Sequence, residues 1–201
     1  MSWDNCALLT NSLKPYACCR HTHAADYCAQ LLRGEHRLEP EHITRIVDHT
    51  YQVAVNTVDN PEPSTPYGYK FSGQYCTAAM LVYGHLGESA FTPEATSDPR
   101  VRRLMDKITL VCDPELEASY QADRNRWAHR LEVTLEDGRV LTRQVEYPYG
   151  DFNNPFTWAY EHEKFHTLAD GVLDPDRVAA LVERLPHLEE LDDINRLFEG
   201  L

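Results

Sequence analysis

Apolar residues along the chain change period several times, and each change marks an element. Ala24, Ala25, Cys28, Leu31 and Leu32 recur at i, i+1, i+4, i+7 and i+8, one apolar face of a helix that starts near His21, with Gly34 as its stop. Ile43 to Val47 is β-branched and alternating, the pattern of a strand, and Tyr51 to Val58 follows as a short helix. Three prolines between Asn60 and Pro66 exclude regular structure there and predict the most mobile segment of the chain. Ser72 to Tyr83 returns to helical spacing through Tyr75, Ala78, Ala79, Val82 and Tyr83, closed by Gly84.

Asp98-Pro99 pairs a capping carboxylate with proline at the first helical position, so a helix is predicted over 100–107, running into a strand at Ile108 to Cys112. Trp127 to Leu135 and Arg139 to Tyr147 alternate around Glu136-Asp137-Gly138, a hairpin signal. The last third reads as three helices, over 157–169, 175–185 and 189–198, while the first dozen residues read as an extended lead-in. Strands and helices in irregular order, with a hairpin, predict an α+β fold: one domain over 1–201, helices packed on an antiparallel or mixed sheet.

Composition narrows the functional classes. A chain of 201 residues with 42% hydrophobic and 25% charged residues is long enough to bury roughly 70% of its unfolded surface without staples. No apolar run reaches the ~20 residues of a membrane span, and Met1 to Cys6 lacks the basic-then-apolar pattern of a secretory signal, so a cytoplasmic protein without a membrane partner is expected. The net charge of −13 argues against nucleic acid. That charge is uneven: in residues 1–40, Lys14, Arg20, Arg33 and Arg37 balance Asp4, Asp26, Glu35 and Glu39, so an anion site belongs near the N-terminus.

Three stretches could carry chemistry. Lys14 to His23 sets two fixed cations, Cys18 and Cys19, and His21 and His23 just before a helix, a combination suited to a carboxylate; a solvated helix-start loop is the plain alternative. Lys70 and Tyr75 flank Gly73 at a loop-to-helix transition, where a tyrosine hydroxyl could move a proton, or could simply pack in the core bonded to backbone. Tyr147 to Thr157 reads as a turn and helix start with a structural role. The six cysteines are sparse for a disulfide scaffold, and no second C-x-x-C or H-x3-5-H pair joins Cys18, Cys19, His21 and His23, so neither a metal nor another cofactor is expected, though a small metal-binding protein built on those four residues stays open. No G-x-S-x-G, P-loop or dinucleotide fingerprint occurs.

In this order, the stretches resemble the MmgE/PrpD family, which includes 2-methylcitrate dehydratase, iminodisuccinate epimerase and cis-aconitate decarboxylase. Ser12-Leu13-Lys14-Pro15-Tyr16-Ala17-Cys18-Cys19-Arg20-His21-Thr22-His23 is similar to the family's S-x-K-x-Y-P-C-C-R-x-x-H segment. Lys70-Phe71-Ser72 with Tyr75-Cys76, Asp98-Pro99-Arg100-Val101 with Leu104-Met105, and Gly150-Asp151 with Asn154-Pro155 continue the likeness. Ala17 departs from the usual proline, and Gly73-Gln74 stands where Leu-Pro is common.

Family members are more than twice as long, with a helical domain first and a smaller α+β lid second. The resemblance therefore implies the C-terminal lid alone, inactive by itself, needing a separate helical subunit or self-association. It implies a lyase or isomerase acting on a di- or tricarboxylate by dehydration, decarboxylation or epimerisation. It also implies catalytic roles for Tyr75, Lys14 and His23 and substrate-binding roles for Arg20, Lys70 and Cys19. A noncatalytic carboxylate-binding or regulatory module is the alternative from another class.

Overall fold

Alternation of side chains builds the sheet first. In a computed structural model that describes residues 6–198, four strands form one mixed sheet in the order β2-β1-β3-β4: β1 (Ile43–Thr50), β2 (Ile108–Cys112), β3 (His129–Leu135) and β4 (Val140–Val145). Met1 to Asn5, on which the secretory-signal reading partly rests, lie outside the described residues. On β3, His129, Leu131, Val133 and Leu135 point inward while Arg130, Glu132 and Thr134 face outward, the half-buried pattern that pins register. β3 pairs antiparallel with both neighbours, whereas β1 and β2 run parallel with Ile46 opposite Ile108.

Nine α-helices occur among the described residues: α1 (His23–His36), α2 (Gln52–Val58), α3 (Pro66–Lys70), α4 (Gly73–Tyr83), α5 (Pro93–Thr96), α6 (Pro99–Met105), α7 (Pro114–Ala122), α8 (Trp158–Ala169) and α9 (Pro175–Arg184). This is the α+β architecture the pattern predicts. α1 lies on β3 and β4, and α4 lies beside β2, against α1 and α6. α4 is buried along almost its whole length. It comes close to β2 because Gly73 has no side chain: a Cβ there would meet Leu110 Cδ2 at 2.9 Å. Ser72 caps α4 by accepting the Tyr75 N–H at 3.0 Å and donates its own proton to the Asn60 carbonyl, pinning the start of the proline-rich loop.

Several boundaries differ from the sequence reading. Gly34 does not stop α1, which continues to His36 and ends on Arg37 in the left-handed conformation. The N–H groups of Arg37 and Leu38 both reach the Arg33 carbonyl, and this closure drops Leu38 into the core. The lead-in contains a 3-10 turn at Ala7–Thr10 instead of being wholly extended. α7, capped by the Asp113 carboxylate, falls where no element is predicted. The last predicted helix, 189–198, is replaced by 3-10 turns at Leu185–Glu190 and Ile194–Leu197, and α9 stops short of Pro186, which has no N–H to continue it.

The described chain divides into two compact units with the boundary between Pro155 and Phe156. The first holds the sheet, α1 to α7 and the main core. The second holds α8 and α9, with Ala169, Val178, Leu181 and Leu197 buried. No helix among the described residues is long and apolar enough to cross a membrane.

Candidate carboxylate site on the strap before the first helix

Residues 12–22 cross the first unit as a strap, held by three backbone bonds of 2.8 Å. The N–H groups of Leu13, Ala17 and Cys19 donate to the carbonyls of Gly150, Leu86 and Lys70. Tight fastening matters because a cation presented on a loop is useful only if the loop does not wander. The strap ends in a 3-10 turn at Arg20–Thr22 that leads straight into α1.

Arg20 is fixed from two sides. Its Nη2 donates to Asp151 Oδ2 at 2.6 Å, its guanidinium lies 5.2 Å from the centre of the Trp127 ring, and the same Asp151 oxygen accepts the Ser12 hydroxyl at 3.0 Å. Asp151 is itself shaped by a tight turn, its Oδ1 accepting the Asn153 N–H. Burial lowers the Arg20 pKa while Asp151 opposes the change, and an arginine so paired stays cationic. Its Nη1, also buried, has no hydrogen-bond partner among the described residues. Lys14 is exposed on the same strap, near enough to Cys19 to favour its thiolate, although burial is the larger effect and raises that thiol. Cys19 is half-buried and directly precedes Arg20.

His21 turns the other way. Its ring stacks on Trp127 at 4.5 Å and 5° and its Nδ1 lies 2.7 Å from the Tyr51 hydroxyl. Burial, then His129 and Arg20 nearby, pulls its pKa down to about 4. Burial likewise pushes the Tyr51 hydroxyl above its ordinary value. Behind them, Asp48 and His129 form a fully buried 2.7 Å contact that continues to the Thr50 hydroxyl.

The other predicted residues are placed differently. His23 is wholly buried, with Nε2 3.3 Å from the Cys18 carbonyl and its ring edge-on to Tyr16. Lys70 spans to the exposed Glu88 at 3.0 Å and lies over Phe91. Tyr75 is 0% exposed and gives its hydroxyl proton to the Ala90 carbonyl, the core-packing alternative; burial raises its pKa, so this phenol holds its proton. Lys14, Cys19 and Arg20 therefore come together, Lys70 and Tyr75 share the neighbourhood of Phe91, and the Cys19 N–H bond to the Lys70 carbonyl joins the two groups.

Beneath the strap lies a set that sequence reasoning did not assemble. One sulfur of Cys18, one of Cys76 and one carboxylate oxygen of Asp26 lie within 4.8 Å of one another, all buried. Burial raises Cys18, but hydrogen bonds from Cys76 and His23 outweigh it and hold that thiol well below its ordinary value; Cys76 and Asp26 are both raised, chiefly by burial. Asp151, Trp127 and Tyr51 were missed as well. Gly150-Asp151 is visible as a motif, but nothing local says that its carboxylate serves Arg20.

The chain matches the MmgE/PrpD C-terminal domain over residues 16–187. It is 32% identical over 136 residues to the mitochondrial 2-methylcitrate dehydratase of Yarrowia lipolytica, covering 65% of this chain and 26% of that protein. It is 35% identical over 111 residues to the 2-methylcitrate dehydratase of Cupriavidus necator, covering 54% and 23%. It is also 28% identical over 206 residues to the cis-aconitate decarboxylase of Aspergillus terreus, covering 96% and 40%. The chain thus spans well under half the length of each of these relatives.

Proposed function

Because the chain belongs to the MmgE/PrpD family as its C-terminal domain, we propose that it forms the lid of a lyase or isomerase acting on a di- or tricarboxylate. The observation that carries this reading is the fastened strap, which presents Lys14 and Arg20 beside Cys19 on an otherwise acidic molecule. Proton removal next to a carboxylate, or loss of CO2 from one, builds negative charge on the substrate. Fixed cations and donors stabilise that charge without reorganising.

In this reading Arg20, whose side chain stays partly exposed, binds a substrate carboxylate while Asp151 and Trp127 hold its guanidinium in place. Lys14 supplies the second charge. Cys19 and Lys70 line the approach, and His23 and Tyr75 support the strap and the Ala90 segment from below. In this reading a helical domain completes the cleft and supplies the base. A second reading, a carboxylate-binding module without turnover, draws on the commitment of the Tyr75 hydroxyl to backbone.

The experiment is recovery of the untagged protein from its native cells with whatever accompanies it, followed by assay on a panel of citrate-like acids. Turnover in an assembly containing a helical domain is the expected result. Saturable binding of the acids without turnover selects the second reading, and neither binding nor turnover removes both.

A further inference from the structure

From the buried meeting of Cys18, Cys76 and Asp26, we propose that this core cluster binds one soft divalent cation of the zinc type. The site is independent of the carboxylate reading, and its residues come from three places: the strap, the first half of α1 and α4. Cys18 Sγ lies 3.6 Å from Asp26 Oδ2, and sulfur and oxygen ligands at about 2.3 and 2.0 Å in a tetrahedral shell stand about 3.5 Å apart. Thr22 Oγ1 donates to the same Asp26 oxygen at 2.7 Å and lies 3.3 Å from Cys18 Sγ, which holds the carboxylate toward the sulfur.

A second observation is independent of this spacing. Asp26 is 0% exposed, and its Oδ1 has no hydrogen-bond partner among the described residues. Buried polar atoms are nearly always paired, and an unpaired oxygen on the buried carboxylate of this cluster points to a group that satisfies it. Two thiolates select zinc-like cations over magnesium or calcium, which prefer oxygen shells. On binding, the two thiols and the carboxyl give up any protons they hold to solvent and become the ligands. Such an ion would tie the strap to α4 one residue before Cys19 and two before Arg20, so it is a positioning element for the loop above it.

The test uses the untagged full chain, stripped with chelator under reducing conditions and titrated with Co2+ alone. Thiolate-to-cobalt charge-transfer absorption should saturate at about one ion per chain and be bleached by Zn2+. It should be lost in Cys18→Ser and Cys76→Ser and weakened in Asp26→Asn, while Cys6→Ser and Cys112→Ser keep it. Thermal melts check that each variant folds, and Zn2+ should raise the wild-type midpoint because the ion binds the folded chain. If the core variants fail to fold, the wild-type band, its survival in the two control variants and the midpoint shift decide the matter. Absence of the band with an unchanged midpoint overturns the proposal, as does an intact band in folded Cys76→Ser.

Discussion

Arg20 and Asp151 stand 131 positions apart, and their 2.6 Å contact is the clearest example of a site feature that exists only after folding. The lysine, arginine and cysteines of the strap are legible in the sequence because they are contiguous. The carboxylate, indole and phenol that orient them come from three other segments. The same limit explains Tyr75, whose position in a motif says nothing about the direction of its hydroxyl; that is set by burial in α4 and the nearby Ala90 carbonyl. His21 gives a prediction at this scale. Its folded pKa of about 4 lies below the ~6.5 of a free imidazole, so the unfolded chain takes up this proton more readily. The stability gained by keeping His21 neutral is complete above about pH 6.5 and is lost as pH falls toward 4. A histidine NMR titration should place the His21 midpoint near 4, and a midpoint at the free value would contradict its packing between Trp127 and Tyr51.

Elements with strong local signals were legible, and those with weak ones were not. Asp98-Pro99 announced α6, and the Asp98 carboxylate does accept the Arg100 N–H at 2.8 Å. Hydrogen bonds from the Arg100 side chain draw Asp98 down to about 2, so the cap stays ionised in any ordinary buffer. Asp98→Ala should therefore cost about 1 kcal/mol. Thermal or denaturant melts would show it, and an unchanged midpoint would mean that the cap does not hold α6. Asp113-Pro114 carries the same signal for α7, yet the helix escaped notice because only Leu116 and Tyr120 mark its buried face. At the end of α1, Gly34 misled: nothing lies within 4 Å of where its Cβ would be, so no steric demand sits there, and termination waits for Leu38 to find the core.

For the molecule as a whole, the hairpin of β3 and β4 could be read from alternation, because its partners are neighbours in sequence. The parallel pairing of β1 with β2 could not, since five helices intervene and no local pattern names the partner strand. The pairing has a functional consequence: the α2 to α6 excursion returns Lys70 and Leu86 to the strap, where their carbonyls fasten Cys19 and Ala17. Family membership is shown by the match over residues 16–187, and the proposed contribution of this domain to catalysis is the cations of the strap. The most direct test is kcat/KM on the preferred carboxylate for the active assembly carrying Arg20→Ala or Asp151→Asn. Removing one preorganised charge partner should lower kcat/KM by about 10^2 to 10^3 for Arg20→Ala. Asp151→Asn should lose less, in the same direction, with melting behaviour near wild type in both. Unchanged kcat/KM in the two folded variants would contradict the assignment of the strap as the carboxylate site.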